Sequence, residues 1–304
     1  LDTAVLNQLT DLVTMIGEHY RDNPFHNFEH ASHVAMSVSK LLSRIISPRE
    51  QGLIGNMGKI DIQSIPQQQS TTLASELHDH TFGITSDPLT AFAAFFAALI
   101  HDLDHNGVPN TVLKTEQPDL SKKYRETSIA EQNSIDLAWE MFMRREYKTL
   151  RRCICPTDEE LGRFRQLVVQ MVMSTDIMDQ QIGKLRKERW NKAFSDATEC
   201  DVVQDRNRKA TIVIEHLIQA SDVSHTMQHW HIYRKWNQNL FFELYHAYKQ
   251  GRLEKDPSPD WYKGELSFFD FYVIPLAKKL DTCGVFGVTS DEFLMYAMAN
   301  RKEW

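Results

Sequence analysis

The chain has 304 residues, with 34 Lys and Arg against 41 Asp and Glu and a formal net charge of −7. That balance offers no basic stripe to a phosphate backbone, which excludes a nucleic-acid binder built on ion-pair contacts. With 42% hydrophobic and 25% charged residues, the composition is that of a globular protein with room for a sizeable core.

Val5, Leu6, Leu9, Leu12, Val13, Ile16 and Tyr20 recur at spacings of three and four, predicting an amphipathic opening helix that Pro24 ends before His26. A second helix is predicted over 29–46, with Val34, Val38, Leu41, Leu42 and Ile45 on one face and Pro48 beyond it. The stretch 48–72 is rich in Gln, Ser, Gly and Ile without a period, as expected of a surface loop inserted into the domain. Asp87 and Pro88 read as a helix start, and the apolar run 89–100 as a buried helix too short to span a bilayer. Further helices are predicted over 128–145, 158–176, 208–223, 227–250 and 268–280. No run of alternating β-branched residues signals a strand. The expected fold is all-α, a compact multi-helix bundle forming one domain over 1–304.

Four cysteines are too few for a disulfide framework, and no signal peptide opens the chain, so a reducing, cytoplasmic setting without membrane contact is expected. The C-x-C of Cys153 and Cys155 lacks a second pair to complete a metal site. The first residue is Leu rather than Met, which points to a segment of a longer protein.

Three clusters carry chemistry. Phe25-His26-Asn27-Phe28-Glu29-His30 sets two histidines four apart, a spacing that shares a face if both are helical. His101-Asp102-Leu103-Asp104-His105 follows the most apolar helix with four potential ligands in five residues. Asp222 closes a largely apolar helix. Singly, each histidine could pack and Asp222 could cap. Together, the second run is hard to explain by packing, because buried charge is costly unless paired or metal-bound. Imidazole with carboxylate suits zinc, iron or manganese, and carboxylate with water suits magnesium.

The order H-N-x-x-H, H-D-x-D-H-x-G and a helix ending in Asp resembles the catalytic domain of class I 3′,5′-cyclic nucleotide phosphodiesterases, from about residue 20 to about residue 285. The resemblance implies hydrolysis of cAMP or cGMP to the 5′-monophosphate by a hydroxide bridging two metal ions. It implies that His30, His101, Asp102 and Asp222 hold zinc, and that Asp102 bridges to Mg²⁺, with Mn²⁺ an alternative at that second position. By the same resemblance His105, Glu131 and Asp176 orient waters, His26 is the general acid, and Phe268 and Leu240 sandwich the purine. It also implies a cyclic nucleotide as the partner and fusion to regulatory or cyclase domains.

Four stretches depart from the family pattern, one of them Phe25, where a tyrosine often precedes the acid histidine. Glu265 stands where a glutamine usually reads the purine edge, and an ionised carboxylate only accepts hydrogen bonds. Ionised Glu265 is expected to favour guanine, while a protonated Glu265 would imitate glutamine. Gln132-Asn133-Ser134 replace the usual Asn-His-His after Glu131. His225-Thr226 replace the usual Asn-Pro, so His225 can reach the base and carry charge. The readings set aside are a nucleotide-binding module without turnover and a wider HD-type phosphohydrolase.

Overall fold

The computed structural model describes residues 2–45, 75–194 and 202–304, so the loop expected at 48–72 lies outside the described residues. Among the described residues there are helices and turns and no strand. The helices used below are α1 (Thr3–Glu18), α2 (Phe28–Ser43), α3 (Pro88–Ile100), α4 (Asn110–Glu116), α5 (Pro118–Lys123), α6 (Ile129–Phe142), α7 (Lys148–Ile154), α8 (Asp158–Met173), α9 (Gln180–Phe194), α10 (Val202–Asp222), α11 (Trp230–Lys249), α12 (Trp261–Phe268), α13 (Ile274–Thr282) and α14 (Val288–Glu303).

Helix α3 is apolar on every side, and the fold surrounds it. Ala93, Ala94, Ala97 and Ala98 are buried and let the neighbouring helices α2 and α8 approach closely. Phe96, Phe142 and Phe164 join α3, α6 and α8 with ring centroids 5.4–5.6 Å apart. Helix α10 packs on α2, α3, α8 and α13 and is the other central element.

Asn27 explains where α2 begins. Its side-chain oxygen accepts from the His30 N–H at 2.9 Å, a standard N-cap bond. His30 therefore lies in the first helical turn while His26 lies outside the helix, so the two histidines do not share a helical face. At the end of α3 the backbone turns sharply, with Asp104 at φ 61° and Gly107 at φ 68°. A Cβ on Gly107 would also sit 3.3 Å from Asn23 Oδ1 and from Glu243 Cγ, so glycine is required there by backbone and by space.

The helix expected over 268–280 is broken. Phe268 closes α12, a π-helical turn covers Phe269–Val273, and α13 starts at Ile274. Pro275 has no N–H for the Phe271 carbonyl, and the wider turn absorbs that loss. Helices α4, α5, α7, α9, α12 and α14 lie outside the expected set. Four of them, α4, α5, α7 and α12, are short, α9 is strongly polar, and α14 spreads its apolar residues around its circumference, so none advertises an apolar stripe.

Candidate active site

Three distant stretches converge where α10 ends. His30 Nε2 lies 3.1 Å from Asp222 Oδ1 and 3.7 Å from Asp102 Oδ2. His101 Nε2 lies 3.0 Å from Asp102 Oδ2 and 3.4 Å from Asp222 Oδ1. A tetrahedral ion with bonds of about 2.0–2.1 Å has ligand–ligand edges of about 3.3–3.4 Å, and these four spacings bracket that value. His101 Nδ1 is 2.9 Å from the Ala98 carbonyl, to which it donates, leaving Nε2 to face the two carboxylates. That Nε2 is buried and, despite its nearness to Asp102, makes no hydrogen bond of acceptable geometry. His30 Nε2 does make a hydrogen bond to Asp222 Oδ1, at 3.1 Å, and the mixed imidazole and carboxylate set gathered here is one that suits a shared cation. Burial alone would raise the pKa values of Asp102 and Asp222, but His101 and the neighbouring histidines hold both carboxyls well below their usual range. Asp104, the second acid of the motif, turns away: it accepts from Arg21 Nε at 2.8 Å and Asn133 Nδ2 at 3.3 Å.

His26 faces the same cluster from a turn, and what fixes it is Glu243 on α11. One Glu243 oxygen meets His26 Nδ1, and the other accepts the backbone N–H groups of Phe25 and His26 at 2.9 and 3.0 Å. Burial would lower the His26 pKa, but the Glu243 carboxylate, with Asp102 and Asp222 behind it, raises it to about 9. Glu243 itself is held ionised, its pKa brought down to about 2 by His26 against the effect of burial. His105 stacks on His26 with centroids 3.8 Å apart, and burial together with that neighbour pushes its pKa down to about 3. His26, His105 and Glu243 could also gather around an ion by distance. Both Glu243 oxygens are already engaged, so the His30, His101 and Asp102 group is the better-fitted cation site.

Glu131 and Asp176 lie side by side at the start of α6 and after α8. Asn110 Nδ2 donates to Glu131 Oε2 at 2.9 Å and approaches Asp176 Oδ2 at 3.4 Å. Ser128 Oγ donates to Asp176 Oδ2 at 2.7 Å. Burial, and then the Asp176 charge, raise the Glu131 pKa to about 7. Ser134, in place of a family histidine, donates to the His101 carbonyl at 3.0 Å.

One face of α11 carries the next group of side chains. Tyr233, Trp236, Leu240 and Glu243 recur at spacings of three and four, and the ten steps from Tyr233 to Glu243 rise about 15 Å along the helix. Trp236 packs edge-on to Phe25 and His30. Leu240 is half-buried on that face. Glu265 on α12 is buried, and Tyr233 Oη donates to its Oε2 at 2.6 Å. Burial raises the Glu265 pKa, while the bonds from Tyr233 and Asn237 oppose the rise. Phe268 stacks on Tyr272 with centroids 5.3 Å apart and planes 13° from parallel. His225 is buried beside Phe25, 5.4 Å between centroids, and burial and the nearby His30 push its pKa to about 3. Both effects favour the neutral imidazole over the charged one.

Sequence reading missed Glu243, Asn110 and Ser128. Glu243 had a signal, since it is the one acid on an otherwise aromatic and aliphatic stripe of α11. Asn110 and Ser128 had none, because a lone polar residue beside a turn has many ordinary uses.

A family model described as 3′5′-cyclic nucleotide phosphodiesterase matches residues 25–285. A probable 3′,5′-cyclic-AMP phosphodiesterase of Caenorhabditis elegans is 26% identical over 274 residues, covering 85% of this chain and 34% of that protein. A 3′,5′-cyclic-AMP phosphodiesterase 4C of Mus musculus is 24% identical over 277 residues, covering 88% and 35%. The chain thus spans about a third of the length of these curated relatives. The crystal structure of the phosphodiesterase domain of Salpingoeca rosetta rhodopsin phosphodiesterase superposes with a TM-score of 0.73 at 20% identity, covering 98% of this chain and 79% of that one. At that identity the likeness is one of fold.

Proposed function

The chain belongs to the 3′,5′-cyclic nucleotide phosphodiesterase family, and from that premise we propose that it hydrolyses 3′,5′-cyclic nucleotides to 5′-nucleoside monophosphates in a metal-dependent reaction. The observation that carries this reading is the convergence of His30, His101 and Asp102, with Asp222 in reach of both histidines, next to His26. Zinc suits that mixed imidazole and carboxylate set, and Mg²⁺ or Mn²⁺ suits a second position beside Asp102. When bound, such ions supply Lewis acidity to the phosphodiester and acidify water. The chain's own residues do the rest. His26, kept protonated by Glu243, hands a proton to the departing O3′ alkoxide, which is otherwise a poor leaving group. His105, Glu131 and Asp176 line the side from which water comes, and Phe268 and Leu240 flank the purine.

Glu265 selects the base. The Trp261 indole N–H can only donate, and it does so to Asn237 Oδ1 at 3.1 Å. That turns the Asn237 amide NH₂ to Tyr233 Oη at 3.3 Å, and Tyr233 must give its own proton to Glu265 Oε2. The relay has one direction, so a glutamine at 265 would present its NH₂ outward, whereas ionised Glu265 presents an acceptor. Guanine answers with N1–H and N2–H₂ donors, while adenine N1 is itself an acceptor. Cyclic GMP is the favoured substrate when Glu265 is ionised. The relatives named for cyclic AMP support that nucleotide as the second substrate.

The test is turnover of cAMP and cGMP side by side with Mg²⁺ or Mn²⁺, with a chelator control, in wild type and Glu265→Gln. Chelator-sensitive release of 5′-monophosphate is expected, with the kcat/KM ratio moving toward cAMP in the variant. Tight nucleotide binding without turnover in a metallated sample would make the protein a sensor. Turnover with an unmoved ratio would remove Glu265 from the recognition of the base.

The length of the relatives supports a longer protein carrying regulatory or cyclase domains. Cys153, Cys155 and Cys283 are free thiols, which supports a reducing, cytoplasmic setting. No helix among the described residues is long and apolar enough to cross a membrane.

A further inference from the structure

We propose that Asn110 is a positioning residue for Glu131, and through Glu131 for the second divalent cation; the inference rests on the metal-dependent reading above. Asn110 opens α4, and its amide cannot be turned round. Its Oδ1 accepts the Ala130 N–H at 2.9 Å, and a backbone N–H can only donate. The NH₂ must therefore face the two carboxylates, Glu131 Oε2 at 2.9 Å and Asp176 Oδ2 at 3.4 Å.

The two acids are not equivalent. Asp176 Oδ2 also accepts from Ser128 Oγ at 2.7 Å, and its Oδ1 accepts the backbone N–H groups of Met178 and Asp179 at 3.1 and 3.2 Å. Two lone pairs on each oxygen give four acceptor positions, and all four are taken by the protein's own donors. Asp176 is thereby an anchor. Glu131 commits only Oε2 to this frame, so its Oε1 is the carboxylate oxygen left over for a cation's water shell. One amide thus does two things. It separates a pair of adjacent acids that would otherwise repel, and it fixes the rotamer of the acid that retains a free oxygen.

A purely structural role for Asn110, tying α4 to α6 through Ala130, makes a different prediction. Asn110→Asp keeps an oxygen for the Ala130 N–H and loses only the donor, placing a third carboxylate against the other two. Asn110→Ala loses both. The experiment is calorimetric titration of Mg²⁺ into zinc-loaded wild type and both variants, with thermal melts to establish folding. Mg²⁺ affinity is expected to fall about 10- to 100-fold in Asn110→Asp, the range for residues that orient a metal's surroundings, with zinc retained. The constant for activation of turnover by Mg²⁺ should rise in parallel. Wild-type affinity in either folded variant would overturn the role of Asn110. Absence of Mg²⁺ binding in wild type would instead overturn the two-cation reading on which it rests.

Discussion

Glu243 decides the charge of His26. Its three contacts with Phe25 and His26 leave it no rotamer freedom, and its charge outweighs the burial that would otherwise make His26 neutral. The sign follows. A general acid must be protonated, so the His26-dependent rate is full below pH 9 and is lost as pH rises through about 9. In Glu243→Gln the partner charge is gone, and the basic limb of kcat/KM should move down from about 9 toward 6.5 or below. Between those values the variant loses protonated His26 that wild type keeps. Removing His26 altogether should cost about 10²–10⁴ in rate. A pH–rate profile of both enzymes checks this, and an unchanged basic limb in Glu243→Gln would disprove the link. The same pair stabilises the fold below pH 6.5, and the His26 share of that stability disappears as pH climbs to about 9.

At the scale of elements, α14 holds the segment that follows Asp222. Asn300 on α14 is buried, and its amide donates to the carbonyls of Thr226 and Gln228 at 2.9 and 2.7 Å. Those carbonyls belong to the short 3₁₀ segment Ser224–Met227 and its exit, which also carries His225 into the pocket. Asn300→Ala leaves two carbonyls without their donor, at a cost of about 1–3 kcal/mol. For a chain of this size that lowers the melting temperature by about 2–4 °C per kcal/mol. Calorimetry should show the drop, with KM more affected than metal content, because the base side of the site is loosened while the cation ligands stay in place. A variant with wild-type stability would mean that water replaces the amide without cost.

For the molecule as a whole, the proposed ligand cluster would work as a clasp on a bound ion. His30, Asp102 and Asp222 are drawn from the first turn of α2, the turn after α3 and the end of α10, far apart in the chain and adjacent in space. An ion that binds only the folded arrangement stabilises it by mass action, about 2.7 kcal/mol at a hundredfold excess over its dissociation constant. Zinc should therefore raise the melting temperature and a chelator should lower it. Asp222→Asn, which removes one converging charge, should abolish most of that difference. Equal melting temperatures for chelated and zinc-loaded wild type would rule out the clasp.

The sequence by itself determined the all-α class and the long helices with a clear apolar stripe, and it offered the candidate cation ligands. Helical class is written in local periodicity, as in α1 and α3; H-D-x-D-H points to a metal because it packs more charge behind an apolar helix than burial tolerates, and the resemblance to the family implies which residues would hold it. What depends on partners distant in the chain was left to the tertiary structure. Only the fold turned Asp104 away to Arg21, neutralised His225, set Glu243 against His26 from 217 residues away, and oriented Tyr233 toward Glu265. Each of these is fixed by burial and by hydrogen bonds between separate helices, and neither quantity exists until the helices have packed.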